Sequence, residues 1–356
     1  MKIYQLLPGF TTGDAISEYA LQLDSIFKEL GQESFILAVD RHTSLDARAS
    51  CRDYRSYENK INSDDIIVYH YSVGSELTEF CKKANAKKML IYHNITPPRF
   101  FTNINPQTAK DLEQGLEEIK SMRDCVDVAL GVSEYDRMDL ENFGFKNTGR
   151  IWLLLNDKRL HAVPNKNIID KYDDDFVNII SVGRMSPNKK FEDVIKVFYY
   201  YQKVINRRSR LFLVGSIAGG NSYVEFLRGM CAVLSLKDVV FTNHITDTDL
   251  NGYYKAADIY ITMSEHEGFC VPLLEAMHND VPVIAFGSSA IPETLGGAGV
   301  CVKEKDFEAI AEMMELILTD KALKSKIIEK QKGRLKDFDR EKLKNALGEF
   351  IKKLHA

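Results

Sequence analysis

The sequence predicts an α/β protein made of two doubly wound domains that face a central cleft. The chain has 356 residues, which is too long for one ordinary hydrophobic core and suits two domains. Short apolar runs rich in Val, Ile, Leu and Tyr alternate with longer amphipathic stretches, as is typical of parallel β-α-β units. A polar stretch over 156–175, which has no apolar period, separates two series of such units.

The apolar runs predict six strands in each half of the chain. In the first half they lie at 2–7, 34–39, 65–69, 88–92, 127–132 and 150–155. In the second half they lie at 176–182, 210–214, 238–242, 258–262, 281–286 and 299–302. The clearest helical periods are at 14–30, 107–123, 191–205, 221–234, 247–256, 272–279 and 306–318.

These patterns predict the domain boundaries. An N-terminal domain covers 1–155, a linker covers 156–175 and a C-terminal domain covers 176–335. After about residue 320 the chain is Lys-rich and helical to its end, and 336–356 forms the last helix. Ligands of such sheets bind beyond the carboxyl ends of the strands, so the strand-to-helix loops are where functional residues are expected.

Composition excludes several classes of protein. The formal net charge is −4 and neither half is strongly basic, which argues against a nucleic-acid binder. The six cysteines lie far apart without a CxxC pair, which predicts reduced thiols in a cytoplasmic protein. The first apolar run is too short for a signal peptide, and no apolar run approaches the length of a membrane span.

The densest motif is SEHEGFCVPLLEAM at 264–277, after the strand predicted at 258–262. Gly268 permits a tight turn, and Pro272 suits the start of a helix. Backbone N–H groups of 268–271 and the positive end of that helix then form a seat for phosphate or sugar oxygens. Glu267 and Glu275, eight positions apart, can reach two parts of one extended ligand.

A second motif, SVGRMSPNKK at 181–190, follows the first strand of the C-terminal domain. Gly183 lets the backbone turn, while Arg184 offers a planar fork and Lys189 a mobile point charge. Two cations at this place suit a diphosphate.

Two loops of the first half carry further candidates. Gly13 lies in PGFTTGDA at 8–15, the first strand-to-helix turn, where Asp14 can cap the helix. His93 follows the strand at 88–92 and His70 is a similar candidate. The spacing GxGxxG is missing here and at 215–220, which disfavours a nicotinamide dehydrogenase. No HxH or HExxH grouping is present, and no protein-held metal is expected.

These motifs together resemble the retaining GT-B glycosyltransferases of family four, the glycosyl transferases group one type. The family's E-x7-E signature matches Glu267 through Glu275, and its diphosphate loop matches Gly183-Arg184 through Lys189. The resemblance is close over 176–302 and looser over 1–155. It implies two Rossmann-like domains, the first for an acceptor and the second for a nucleotide-sugar donor, with the C-terminal helix returning to the first domain.

The resemblance also implies roles for residues of the donor's diphosphate and nucleoside. Arg184 and Lys189, after Gly183, bind the diphosphate, and Gly13 lets the first loop approach it. Glu275 accepts hydrogen bonds from the ribose hydroxyls. The base would lie near 242–245 and 215–216.

For the sugar, the resemblance implies that Glu267 and the N–H groups of Phe269, Cys270 and Val271 hold its hydroxyls. His93 contacts it from the other domain. At Cys270-Val271 the chain departs from the commoner Gly-Leu, which bears on sugar preference. The residues expected to act in catalysis are Glu267, His93, Arg184 and Lys189.

The expected reaction moves a hexose from a nucleotide-diphosphate sugar, similar to GDP-mannose, to a glycan or lipid-linked acceptor in surface polysaccharide or lipopolysaccharide assembly. No cofactor is expected. Lys82, Lys83, Lys87 and Lys88 form a basic cluster that suits peripheral contact with the inner face of the membrane. The alternatives are a catalytically silent nucleotide-sugar-binding partner of a glycan-assembly complex and a GT-B nucleotide-sugar epimerase.

Overall fold

A computed structural model describes residues 1–216 and 222–355. The chain forms two compact units. Unit 1 comprises Met1–Arg99, Pro106–Asn156 and the residues from Phe338 onward, and unit 2 comprises Phe100–Asn105 and Asp157–Asp337. Part of the glycine loop at 215–220, namely 217–220, lies outside the described residues.

Unit 1 is built on a parallel sheet, whose described strands follow the order β3-β2-β1-β4-β5-β6-β7. They are β1 (Lys2–Leu7), β2 (Glu33–Ala38), β3 (Arg52–Asp53), β4 (Ile66–Tyr71), β5 (Lys87–Tyr92), β6 (Val128–Gly131) and β7 (Thr148–Arg150). The helices that follow are α1 (Ala15–Glu29), α2 (Leu77–Lys83), α3 (Pro106–Lys120) and α4 (Glu134–Asn142).

Unit 2 repeats this plan, and its described strands follow the order β10-β9-β8-β11-β12-β13. They are β8 (Val177–Val182), β9 (Ser209–Val214), β10 (Val239–Phe241), β11 (Ile259–Thr262), β12 (Val283–Phe286) and β13 (Val300–Val302). Its helices are α5 (Asp157–Leu160), α6 (Lys166–Tyr172), α7 (Phe191–Tyr200), α8 (Ser222–Val233), α9 (Asp247–Ala256), α10 (Val271–His278), α11 (Ile291–Leu295), α12 (Phe307–Thr319) and α13 (Lys321–Leu335). The predicted α/β class with two parallel sheets is confirmed.

Both sheets reverse their strand order once at the centre. In unit 1, β1 lies between β2 and β4, and in unit 2, β8 lies between β9 and β11. Such a reversal opens a crevice at the carboxyl edge between the two adjacent central strands. The loops that carry the sequence motifs of unit 2 follow those two strands. None of the helices that the structure describes has the length and apolar content needed to cross a bilayer.

The apolar run at 150–155 differs from its prediction as a strand. The strand β7 ends at Arg150, although Ile151 is fully buried and Leu153 nearly so. The Ile151 N–H still donates to the Gly131 carbonyl at 3.0 Å, but the strand does not continue beyond it. Side chains of α1 satisfy the backbone instead: the Tyr19 hydroxyl donates to the Trp152 carbonyl at 2.9 Å and the Gln22 amide donates to the Leu155 carbonyl at 3.0 Å. Burial alone therefore produced the strand-like pattern.

The segment 156–175, predicted as a linker, has helical structure of its own. It contains α5 and α6, and α6 packs against α9. Asn165 caps α6 by accepting from the Asn167 N–H at 3.0 Å, and its side-chain amide donates to Asp249 at 2.7 Å. Because polar side chains anchor this segment, an apolar period could not reveal it.

The C-terminal Lys-rich stretch contains the helix α13 and a last helix that begins close to the predicted residue 336. After α13, the helix α14 (Arg340–His355) belongs to unit 1, where Leu343 and Leu347 are fully buried. The Arg340 guanidinium donates to both carboxylate oxygens of Glu29 on α1, at 2.7 and 2.9 Å. This side-chain hydrogen bond lowers the pKa of Glu29 to about 2.

Two loops at the carboxyl edge of unit 2 pack backbone against backbone. The Gly183 N–H donates to the Val214 carbonyl at 2.9 Å, and the Met185 N–H donates to the Ser216 carbonyl at 2.9 Å. Gly215 between them has φ +151°, and a Cβ there would lie 1.9 Å from the Gly183 carbonyl oxygen. Only a residue without a side chain fits this contact.

We therefore expect Gly215→Ala to lower the free energy of unfolding by about 2 kcal/mol or more, because the methyl group would force the two loops apart. Gly183→Ala is the matched control, since a Cβ there would meet its nearest atoms, on Lys189 and Phe191, at 3.8 Å. Chemical denaturation of both variants measures the difference. Equal stability of the two variants would contradict the assigned packing.

Candidate functional site

The two motif-bearing loops of unit 2 are joined by one buried side chain, Asn188. The Glu265 N–H donates to the Asn188 carbonyl at 2.8 Å, and the Asn188 side-chain amide donates to the His266 carbonyl at 3.1 Å. The Ser186 hydroxyl donates to the Asn188 Oδ1 at 2.7 Å, which leaves this amide well satisfied. The loop after β8 is thereby fixed against the loop after β11. Sequence reasoning missed Asn188 because it considered only the cations on either side.

Lys189 and Glu267 form an ion pair within this assembly. The Lys189 ammonium lies 2.7 and 2.6 Å from the two carboxylate oxygens of Glu267. The Glu267 side chain is 7% exposed and that of Lys189 is 21% exposed. An ammonium has three N–H donors, so two can serve the carboxylate while the third remains for a ligand. The structure thus brings together two residues that the sequence predicted separately.

Arg184 lies in the same loop but is exposed. Among the residues that the structure describes, its guanidinium has no hydrogen-bond or ion-pair partner. Gly183 precedes it and faces the aliphatic part of the Lys189 side chain. Gly183 has no left-handed backbone conformation, so its own backbone does not require glycine. The residue that must be glycine at this turn is Gly215, which has a positive φ.

The loop 268–271 leads directly into α10, and its unusual residue is Cys270. This residue has φ 72° and ψ 64°, the left-handed region that favours glycine, whereas Gly268 has no left-handed conformation. Cys270 occupies the N-cap position without a side-chain capping bond. Burial, followed by the nearby Glu267 carboxylate, raises the pKa of the Cys270 thiol well above its usual value. The thiol therefore stays protonated and is no nucleophile.

Glu275 lies one turn inside α10 rather than in its first turn, and it is 4% exposed. The Tyr254 hydroxyl donates to one of its oxygens at 3.1 Å, and the Arg159 guanidinium donates to the other at 3.2 Å. Burial and the Glu275 charge raise the pKa of Tyr254 well above its usual value, so the phenol remains a donor. Each carboxylate oxygen retains a second acceptor position.

Arg159 is a residue that the sequence patterns did not reveal, because it lies in the polar segment. Its Nε also donates to Asp247 at 2.9 Å. Burial alone would lower its pKa, but Glu275 and Asp247 raise it on balance. The Asn251 amide holds the Arg159 carbonyl at 2.7 Å, which fixes the short helix α5 in place.

The remaining predicted residues, Gly13 and His93, lie in unit 1. Gly13 has φ +81°, and Asp14 caps α1 by accepting from the Ser17 N–H at 2.9 Å. His93 follows β5, and its Nε2 lies 2.9 Å from Nδ1 of His70. The structure therefore brings the two histidine candidates together in unit 1.

Comparison with protein families identifies the domain that holds the unit 2 residues. Residues 164–334 match the family model described as "Glycosyl transferases group 1". This part of the chain belongs to that family. The resemblance predicted from the motifs is confirmed, and we refer to 164–334 as the glycosyltransferase domain.

The chain spans less than half the length of the two named relatives described next. A 159-residue stretch is 27% identical to the serotype-specific mannosyltransferase WbdA of Escherichia coli and covers 44% of this chain and 19% of that protein. A 176-residue stretch is 27% identical to the capsular polysaccharide biosynthesis glycosyltransferase CapM of Staphylococcus aureus and covers 48% of this chain and 42% of CapM.

A solved structure matches the chain over almost its whole length. HepE from Anabaena, in complex with UDP-glucose, superposes with a TM-score of 0.76 at 16% identity, covering 99% of this chain and 100% of HepE. The fold is therefore GT-B, with two Rossmann-like domains, as the motifs implied. At this identity the likeness concerns the fold.

In the glycosyltransferase domain, Lys189→Met is expected to lower the free energy of unfolding by about 3–5 kcal/mol, because it leaves the buried Glu267 carboxylate without its countercharge. Adding Glu267→Gln is expected to restore much of the loss, and chemical denaturation measures both.

The control for this prediction is Lys196→Met. Lys196 pairs with Asp193 at 2.7 Å but is 43% exposed, and Lys305 also bonds Asp193 at 2.7 Å. Removing the Lys196 ammonium should therefore lower the free energy of unfolding by about 1 kcal/mol or less. A double variant no more stable than Lys189→Met would show that the buried charge is not the cause.

Proposed function

We propose that the protein is a retaining glycosyltransferase that moves a hexose from a nucleotide-diphosphate sugar to a glycan or lipid-linked glycan acceptor. The setting we propose is surface polysaccharide or lipopolysaccharide assembly, and no cofactor is required. One observation carries the proposal: within a glycosyl transferases group 1 domain, Asn188 joins a loop bearing two cations to a loop bearing the first of two buried carboxylates.

The cations suit the leaving group of such a reaction. As the bond between sugar and diphosphate loosens, negative charge accumulates on the diphosphate oxygens. Arg184 presents an exposed planar fork, and Lys189 retains one donor beyond its bonds to Glu267. Charges already positioned for the departing group stabilise the transition state more than the bound substrate.

The carboxylates suit the hydroxyl groups of the donor. Glu267, paired with Lys189, would accept from the sugar, to which the N–H groups of Phe269, Cys270 and Val271 would also donate. Glu275 would accept from the ribose with the positions left by Tyr254 and Arg159. Gly13 and His93 of unit 1 complete the proposed donor contacts. Glu267 is assigned no nucleophilic role.

The Lys189 ammonium would contact both the diphosphate and Glu267, the carboxylate proposed to hold the sugar. When a diphosphate draws Lys189 toward itself, the Glu267 carboxylate loses part of its countercharge and accepts hydrogen bonds from sugar hydroxyls more readily. Binding of the diphosphate would thus favour binding of the sugar that it carries.

The sugar that we propose is similar to mannose, with GDP as the nucleotide. The support is the name of one relative, a mannosyltransferase, whereas the HepE structure contains UDP-glucose. A polysaccharide setting is supported by CapM, whose name places it in capsular polysaccharide biosynthesis.

A panel of nucleotide sugars tests the donor assignment. A true donor at about 100 times its dissociation constant should stabilise the protein by about 2.7 kcal/mol, read as a shift in thermal unfolding. Arg184→Ala should remove most of this shift and lower turnover by about 10²-fold, because a charge on the leaving group is lost. Arg207→Ala, which removes another exposed arginine of unit 2, is the control.

Turnover then separates the alternatives. A transferase consumes the stabilising nucleotide sugar and releases the nucleoside diphosphate in an acceptor-dependent way, with retained configuration at the sugar carbon. An epimerase would convert the nucleotide sugar without an acceptor. A silent partner would bind the donor with no turnover on any acceptor offered. No stabilisation by any nucleotide sugar would overturn the proposal.

Peripheral membrane contact is proposed for the basic cluster defined by Lys82, Lys83, Lys87 and Lys88. Lys83 and Lys87 are exposed, although Lys82 pairs with Glu79 at 2.9 Å. Anionic lipid attracts such clusters by about 1 kcal/mol per cation.

Co-sedimentation with liposomes tests this contact. Binding to anionic but not neutral vesicles is expected, and it should fall at high salt and in the variant Lys83→Glu/Lys87→Glu. The variant Lys326→Glu/Lys330→Glu makes the same charge change on exposed residues of α13 and should bind normally. Sedimentation independent of lipid charge and salt would remove the proposal.

A further inference from the structure

A buried chain of hydrogen bonds runs through unit 1 and ends at His93. The Gln5 side-chain amide nitrogen donates to the Ala20 carbonyl at 3.0 Å. The Gln5 Oε1 lies 3.0 Å from Nε2 of His70, and Nδ1 of His70 lies 2.9 Å from Nε2 of His93. Gln5 on β1 and His70 on β4 are both fully buried. The three side chains thus connect adjacent strands β1, β4 and β5 at the centre of the sheet.

The position of each proton in this series of hydrogen bonds follows from the Ala20 carbonyl at the end opposite His93. A carbonyl only accepts, so the Gln5 nitrogen faces Ala20 and the Gln5 oxygen faces His70. His70 must then carry its proton on Nε2, and in a neutral ring its Nδ1 is an acceptor. His93 therefore donates from Nε2, and Nδ1 of His93 carries a bare lone pair.

Burial keeps both rings neutral. It lowers the pKa of His70 to about 3, and burial together with His70 lowers the pKa of His93 well below its usual value. The Tyr19 ring stands edge-on to both imidazoles, with centroids 6.3 and 5.8 Å away. The Tyr19 hydroxyl donates to the Trp152 carbonyl and stays protonated, so it brings no charge to the pair.

No group in the described part of the chain uses the lone pair on Nδ1 of His93. This atom is buried and has no hydrogen-bond partner in the described residues. Buried polar atoms are nearly always paired, so an orphaned acceptor at a strand's carboxyl end requires an explanation. A neutral ring nitrogen accepts from a hydroxyl group, whereas phosphate and carboxylate oxygens have no proton to give it.

We propose that Gln5 and His70 are positioning residues that hold His93 in the tautomer protonated at Nε2, so that Nδ1 accepts a hydrogen bond from a hydroxyl of the transferred sugar. The inference rests on the proposed function, in which His93 contacts that sugar. The inference restricts the donor to hexoses that have a free hydroxyl at the position facing Nδ1 of His93. It disfavours sugars that are deoxygenated or carry a carboxylate there, because the acceptor would then stay unpaired.

Nitrogen NMR of the full chain, labelled with ¹⁵N-histidine, tests the tautomer without any donor. Loss of signals in His93→Phe assigns the His93 ring. We expect its Nδ1 to resonate as an unprotonated nitrogen and to remain so between about pH 5.5 and 8. A protonated Nδ1 in the parent protein would overturn the inference, whatever the enzyme transfers.

Two substitutions at position 70 test the positioning role. His70→Asn keeps an acceptor oxygen near the place of Nδ1 and should preserve the His93 spectrum. His70→Leu removes the acceptor, so His93 should populate both tautomers and titrate. If His70→Leu does not fold, Gln5→Met, which frees His70 to change tautomer, provides the same comparison. An unchanged His93 spectrum in whichever of His70→Leu and Gln5→Met folds would overturn the positioning role of Gln5 and His70.

Donor analogues test the hydroxyl. With the best donor of the panel, each sugar hydroxyl is replaced in turn by fluorine, which cannot donate. At one position the parent protein should lose about tenfold in affinity, while His93→Phe should show no such loss there. The absence of any position coupled to His93 would overturn the contact. If no nucleotide sugar binds at all, the proposed function fails, and the NMR result still decides the tautomer.

Discussion

The single reversal of strand order at the centre of each sheet is the constraint on which both sets of candidate functional residues depend. In unit 2 it makes β8 and β11 neighbours, so the loops after them meet at one edge and Asn188 can join them. In unit 1 it makes β1 and β4 neighbours, so Gln5 lies beside His70. Neither contact joins residues that are close in sequence.

Charge in the glycosyltransferase domain is distributed unevenly between buried and exposed groups. Both carboxylates are buried and each has partners: Lys189 for Glu267, and Arg159 with Tyr254 for Glu275. Such groups must be paired to remain ionised away from water, so they are fixed before a ligand arrives. An exposed guanidinium pays no comparable desolvation cost and remains available for an anionic ligand.

The candidate residues at the centre of unit 1 are neutral, unlike the charged residues of the glycosyltransferase domain. Burial keeps His70 and His93 uncharged, and the Gln5 amide fixes which nitrogen carries the proton. A neutral acceptor distinguishes a hydroxyl from an anion more sharply than a charged ring that titrates near neutral pH. Under the proposed function, recognition of the sugar and stabilisation of the diphosphate would use different chemistry.

The local patterns of the chain predicted the alternation of strands and helices, the cations at 184 and 189 and the carboxylates at 267 and 275, because each depends on neighbouring residues alone. Ion-pair partners could not be predicted in this way: Lys189 lies 78 positions from Glu267, and Arg159 lies 116 positions from Glu275. The glycine that the turn requires proved to be Gly215, since the clash that demands it involves another loop. Periodicity in the sequence indicates which side chains are buried. Which buried groups contact one another is decided only in the tertiary structure, because the order of the strands in each sheet determines which loops and side chains become neighbours.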